Sequence, residues 1–320
     1  MRAKQILVPT DFSDASLEAL KMAVKFVKLY GSTIDLIHVI PLMSYYDESM
    51  QHLGVPFDME KDIYPKVLKE TNQKLHDLAE EYIPKEHRGQ LINLVGRKTA
   101  QVIADQGNKS QYDMVIMANK GSHDTDDVRS NTTEKVIRYS EKPVLSVSTA
   151  FDIDDINEIL IPVDGSGDSA APLAETFSLA YTFGADIKLM HIIEPYTLGM
   201  EVMSMTLEDE EAVYESLIES ISEYFKENPE MDLSFERGAE KFEDFLVHGA
   251  DRYSESVKVT SIIKKGFSAH SEICDYANEN SDLVVMSTHG RTGIARVLLG
   301  STTAIVAEQL EKPLMTLRPK

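Results

Sequence analysis

A chain that carries the same strand-rich text twice is bound to fold as two copies of one domain. Ile6-Leu7-Val8-Pro9-Thr10-Asp11 returns as Leu160-Ile161-Pro162-Val163-Asp164. Ile34-Asp35-Leu36-Ile37-His38-Val39-Ile40 returns at the same offset as Ile187-Lys188-Leu189-Met190-His191-Ile192-Ile193. Gly96 with Ile103 recurs as Gly266 with Ile273, and Lys142-Pro143-Val144-Leu145 recurs as Lys312-Pro313-Leu314-Met315. A period this long marks a duplicated domain rather than a short solenoid unit. The copies part company at one place. The second carries Ser287-Thr288-His289-Gly290 and, nine residues on, Gly300-Ser301-Thr302, where the first has Ala118-Asn119-Lys120-Gly121 and then Asn131-Thr132-Thr133.

The 320 residues therefore divide into domains at 1–150 and 151–320, each long enough to bury its own core without staples. A single cysteine, Cys274, has no internal partner for a disulfide, which points to a reducing compartment and a cytoplasmic protein. The thiol itself reads as a small apolar filler on a helix. The first residues run almost at once into a strand, without the apolar stretch of a signal peptide. No run approaches the ~18 apolar residues of a membrane span. The net charge of -21 is uneven: residues 1–150 hold 19 basic and 21 acidic side chains, residues 151–320 hold 13 and 32. Such a surface repels phosphate backbones and anionic membranes, so neither nucleic acid nor membrane is an expected partner. A nucleotide held by the acidic half needs local backbone donors or a metal.

Each half reads as alternating strands and helices. Gln5–Pro9 is a short β run. The following stretch, 14–29, has helical spacing, with Ser13 as N-cap, Asp14 at the positive end and Gly31 as the stop. The second half repeats the pattern with a helix over 168–183 and a strand over 186–193. Near-continuous apolar runs at 114–117 and 283–286 suit parallel strands covered on both faces. The fold class is α/β, two tandem doubly wound, mainly parallel five-stranded sheets of Rossmann-like type. The longest departure from the repeat lies at 194–257. Within it, 207–227 predicts a helix with Val213, Leu217, Ile221, Tyr224 and Phe225 as an apolar stripe, and Glu211, Glu215, Glu219 and Glu223 as a solvated face.

In an open parallel sheet, ligands collect beyond the carboxyl ends of the strands. Asp164 follows the strand 159–163 and Ser287–Gly290 follows 283–286, so both fall on one rim. Gly300-Ser301-Thr302 precedes a helix predicted over 304–310. Amides at a helix start face outward with partial positive charge and suit phosphate oxygens. The hydroxyls of Ser301 and Thr302 add hydrogen bonds or a hold on a divalent cation.

These residues bring a family into view. The chain resembles a tandem member of the universal stress protein family over essentially its whole length. That family's nucleotide motif is Gly, two residues, Gly, nine residues, Gly, then Ser or Thr; here Ser287 stands at the first glycine, with Gly290, Gly300 and Ser301 in place. Arg291-Thr292-Gly293 and Val297-Leu298-Leu299 are similar to the family's usual filling. The resemblance implies that Pro162, Val163 and Asp164 border the adenosine end and that the backbone of Ile192 lies against adenine. Met286, Ser287, His289, Gly290 and Arg291 would pass the ribose and first phosphates. Gly300, Ser301 and Thr302 would take the outer phosphates. ATP is the implied cofactor, with Mg2+ or Mn2+. It also implies that the last strands, 144–148 and 314–318, pair within one chain as an internal pseudo-dimer, itself a unit for a homodimer.

The first half keeps Asp11 and Gly121 but has Asn131 at the phosphate-facing glycine, and Asp124, Asp126 and Asp127 fill its loop. Carboxylates there oppose a triphosphate, so a degenerate nucleotide site is expected. His38 and His191 read as packed, hydrogen-bonded histidines. Met200, Met203 and Met205 read as loop or core filling, the alternative being a flexible cover over the site. Three functions compete: an ATP-binding stress-response or signalling module, a slow ATPase, and a nucleotide-free structural or chaperone-like protein. Hydrolysis needs a base positioned for water, and His289 is the one evident candidate. The binding module with little or no turnover is the expectation.

Overall fold

The computed structural model describes residues 3–42, 61, 63–119, 132–152, 155–165, 172–194, 207–229, 233–237, 245–249, 256–288 and 299–318. The chain divides into two compact units, Arg2–Ala150 and Phe151–Lys320.

The first unit is a five-stranded parallel sheet. β1 (Gln5–Pro9) lies between β2 (Thr33–Pro41) and β4 (Met114–Ala118); β3 (Arg88–Gly96) continues beyond β2 and β5 (Val144–Val147) beyond β4. Ile6, Leu7 and Val8 are wholly buried, as expected of a central strand with helices on both faces. Each such side chain contributes roughly 1.5–3 kcal/mol of burial. The helix α1 (Asp14–Tyr30) shows why the chain turns where it does. Ser13 caps it, accepting from the Ser16 N–H, and Gly31 closes it at φ 66°, donating to the Val27 carbonyl at 2.8 Å. Ala19, Leu20, Ala23, Phe26 and Val27 recur at helical spacing and are buried. Three more α-helices are found among the described residues of the unit: α2 (Tyr64–Tyr82), α3 (Thr99–Gly107) and α4 (Thr132–Tyr139).

The second unit repeats the plan. β6 (Glu158–Pro162) lies between β7 (Asp186–Ile193) and β11 (Leu283–Ser287); β10 (Val257–Lys265) flanks β7 and β12 (Leu314–Leu317) flanks β11, all parallel. Its helices are α5 (Pro172–Phe183), α6 (Leu207–Glu227), α7 (Ala269–Asn280) and α8 (Ser301–Gln309). The duplication reaches individual bonds. Asp113 Oδ2 accepts from the N–H groups of Lys4 and Gln5 at 2.7 and 2.9 Å, and Asp282 Oδ2 accepts from those of Asn157 and Glu158 at 2.8 and 3.0 Å.

The long segment 194–257 adds elements that have no counterpart among the described residues of the first unit. β9 (Phe245–Gly249) pairs antiparallel with β10, and β8 (Leu233–Arg237) pairs antiparallel with β9, so this sheet gains two strands beyond its parallel five. α6 buries Tyr214, Leu217, Ile218, Ile221 and Phe225, with Val213 and Tyr224 half-buried at the stripe's margin. Glu211, Glu215, Glu219 and Glu223 are exposed as expected. Among the described residues, no helix is long and apolar enough to cross a membrane. Cys274 is a buried free thiol on α7, pushed up to about 11 by burial.

Candidate functional site

In each sheet the strand order reverses beside the first strand. β6 has β7 on one side and β11 on the other, and in such an arrangement a crevice opens above the carboxyl ends of the two strands that flank the reversal. Asp164 leaves β6 at this rim, half-buried, followed by Gly165 at φ 81°. Val163 is buried and donates its N–H to the Met190 carbonyl at 2.8 Å; Pro162 is buried at the strand's end. Ile192, one strand over, is half-exposed near the end of β7. Met286 and Ser287 are buried as the last residues of β11.

Ser287 resolves a question of shape. It lies in strand geometry, paired with Leu317 of β12, and does not have positive φ. Nothing in the backbone at this position demands a glycine, and a side chain is accommodated at 7 % exposure.

The glycine that follows the loop is more informative. Gly300 is the N-cap of α8 (φ -56°, ψ 140°), and the helix begins at Ser301, three residues before the apolar spacing begins at Ala304. Its own N–H is engaged, donating to the Thr288 carbonyl at 2.9 Å, while its carbonyl accepts from the Ala304 N–H at 2.9 Å. No side chain caps the helix at Gly300. The outward amides in the first turn are therefore those of Ser301, Thr302 and Thr303. Among the described residues nothing caps that turn, and the glycine's own amide is already engaged. Ser301 is exposed and Thr302 half-exposed at the start of α8.

Thr303 was absent from the sequence-based set, and it is buried beneath this turn. Its Oγ1 donates to the Ser287 carbonyl at 3.0 Å. Thr288, next along, donates its N–H to the Leu317 carbonyl at 2.8 Å. The first unit makes the same two bonds: Thr133 Oγ1 to the Ala118 carbonyl at 2.8 Å and the Asn119 N–H to the Val147 carbonyl at 2.8 Å. The signal was a threonine recurring before a helix in both copies. The shared bond makes Thr133 the counterpart of Thr303, so the stretch from Ala118 to Thr133 is one residue shorter than that from Ser287 to Thr303.

The paired histidines behave as expected. His38 Nδ1 donates to the Thr10 carbonyl at 2.7 Å, and His191 Nδ1 to the Val163 carbonyl at 3.0 Å. Burial holds the His38 imidazole below its usual range. Asp11, the counterpart of Asp164, accepts from the N–H and hydroxyl of Ser13. Phe12 beside it has φ 65°, the left-handed bend that Gly165 makes in the second copy. His289, Gly290 and Arg291 lie outside the described residues, as do Asp124, Asp126 and Asp127 and the methionines 200, 203 and 205. Among the described residues, no group of three or more His, Cys, Asp or Glu is arranged to hold a metal ion.

The sequence profile of the universal stress protein family matches residues 2–148 and again 156–318. A universal stress protein of Mycolicibacterium smegmatis is 23% identical to this chain, over 98% of it and 97% of its own length. Another, of Methanocaldococcus jannaschii, is 28% identical over 149 residues, 45% of this chain and 81% of its own. Among solved structures, a protein of Pseudomonas aeruginosa PAO1 has a TM-score of 0.56 at 17% identity, covering 99% of this chain and 93% of its own. A universal stress protein of Archaeoglobus fulgidus has the same score and identity, covering 98% and 96%. These two are likenesses of fold.

Proposed function

This chain belongs to the universal stress protein family, and from that premise we propose that its second half binds ATP as a cytoplasmic stress-response or signalling module, with little or no turnover. One observation carries the reading: a helix start with no side-chain cap among the described residues, whose first amides, those of Ser301, Thr302 and Thr303, lie beside the end of β11. Such a turn favours anionic oxygens through its partial positive charge, even on a half as acidic as this one. In the proposed pose Pro162, Val163 and Asp164 border the adenosine and the Ile192 backbone meets the base. Met286, Ser287, His289, Gly290 and Arg291 follow the ribose and inner phosphates. The Ser301 and Thr302 amides and hydroxyls take the outer phosphates, and those two hydroxyls are the ligands this turn would offer to an accompanying Mg2+ or Mn2+. The first half, which lacks the glycine, binds no ATP in this reading. Two copies of one fold in a chain fit an internal pseudo-dimer, with a homodimer of such units as the larger assembly; a scattering profile of two separated lobes would oppose it.

The test is a titration paired with chromatography of whatever the denatured protein releases. Intact ATP released, and ATP binding in solution, are the expected results; sustained phosphate release would favour an enzyme. Gly300→Asp is the informative variant. Aspartate is a good N-cap at the backbone angles of Gly300, so the helix keeps its start. Its carboxylate bonds the amides meant for phosphate and adds a negative charge, and ATP affinity falls by at least ~100-fold. Unchanged affinity in a folded Gly300→Asp protein would remove this site from consideration.

A further inference from the structure

The residues at the end of β11 and at the head of α8 are tied together. Thr303 Oγ1 donates to the Ser287 carbonyl at 3.0 Å and the Gly300 N–H to the Thr288 carbonyl at 2.9 Å, while the Thr288 N–H is tied to β12 through the Leu317 carbonyl at 2.8 Å. Two consecutive carbonyls at a strand end thus hold two points on the first turn of α8. A helix that starts against a strand end can pivot about a single backbone bond, and its first amides swing with it. A second bond one turn apart, on the buried side, stops that pivot. Thr303 supplies it at 5 % exposure, from the same turn whose outer side carries the amides of Ser301 and Thr302.

We propose that Thr303 is a positioning residue: by locking the head of α8 to Ser287, its hydroxyl sets the aim of the Ser301 and Thr302 amides at the triphosphate without touching it. This rests on the nucleotide reading of the second half. The first half separates the lock from its use. Thr133 makes the equivalent bond to Ala118 beneath a helix whose loop lacks the glycine. The bond therefore belongs to the fold, and its coupling to anion binding belongs to the second copy.

Four proteins titrated with ATP and with adenosine test this: the unaltered chain, Thr303→Val, Thr303→Ser and Thr133→Val. Valine keeps the volume and removes the hydroxyl. Thr303→Val is expected to bind ATP about tenfold more weakly, the worth of one well-placed hydrogen bond, with adenosine affinity unchanged because adenosine has no phosphates to aim at. Thr303→Ser restores ATP affinity, and Thr133→Val leaves both ligands unaffected. Thr303→Ala supplies the same comparison should valine unfold the domain. ATP bound equally well by Thr303→Val and the unaltered chain overturns the proposal, as does a parallel fall for ATP and adenosine, which marks general loosening. An unaltered chain that takes up no ATP overturns the underlying reading, and this proposal with it.

Discussion

Asp35 is a carboxylate at 1 % exposure in β2, and its neighbours explain how the fold tolerates it. Oδ1 accepts from Gln5 Nε2 at 2.7 Å and from the Gln90 N–H at 2.8 Å, and Oδ2 accepts from the Tyr112 hydroxyl at 2.7 Å. Gly89 makes the approach possible, since a Cβ there would stand 1.9 Å from Oδ1. Burial, then the bond to Asp35, pushes the Tyr112 phenol up to about 12. The folded protein keeps that proton between pH 10 and 12 while the unfolded chain releases it, so stability falls as pH rises above about 10. Tyr112→Phe removes this tyrosine's share of the alkaline loss, leaving that of Tyr276, which is likewise pushed up to about 12, but it leaves Oδ2 without its donor, at a cost of about 1–3 kcal/mol near neutrality. Urea midpoints measured across the alkaline range check both signs. None of this network was legible in the sequence: Asp35 sits among apolar strand residues with no local pattern, and its partners come from β1, β3 and the turn before β4. The second copy has Lys188 at the same place, so even the repeat gave no hint.

Helices and strands with a clean period were readable, and those governed by a single tertiary bond were not. α1 emerges within one residue of its expected end because cap, stripe and stop all agree. α8 starts three residues before Ala304 because Ser301, Thr302 and Thr303 carry no apolar period, yet the Thr303 bond to Ser287 pins them into the first turn. β8 and β9 went unread within 194–257, since their place is set by pairing to the edge of β10. The glutamate face of α6 was legible, spaced by four and solvent-facing. Like charges at that spacing oppose the helix by ~0.2–0.5 kcal/mol a pair. Glu219→Lys converts two repulsions, with Glu215 and Glu223, into attractions and should raise stability by roughly 1 kcal/mol at low salt, shrinking as salt is added. Thermal unfolding at two ionic strengths measures it; an equal gain at both would point to a different cause.

Across the whole molecule, the duplication makes the two halves internal controls for one another. They share a strand order in the parallel five, the paired histidines, and the strand-end carboxylates Asp113 and Asp282. They differ in charge, with nearly the entire excess of 53 acidic over 32 basic residues in the second. A ligand that binds one folded half stabilises that half by mass action, about 2.7 kcal/mol at a hundred times its dissociation constant. Calorimetry with ATP should therefore move one unfolding transition and leave the other where it was. Two transitions rising together would argue against a single nucleotide-bearing half. The difference in sequence between the halves is readable at Gly300, whose chemistry is local, whereas the counterpart of Thr303 needed three-dimensional registration.

Two anchors tied to each other can hold their place while the sequence between them is rewritten. The first copy has lost one residue and every glycine of that segment but its first, yet Thr133 still grips Ala118 as Thr303 grips Ser287. On the proposed reading, a change of ligand needs only an exchange of the eleven or so residues between two fixed anchors, and a copy without a nucleotide keeps its architecture. Grafting the second loop between Asn119 and Thr133 should then be a matter of splicing rather than redesign.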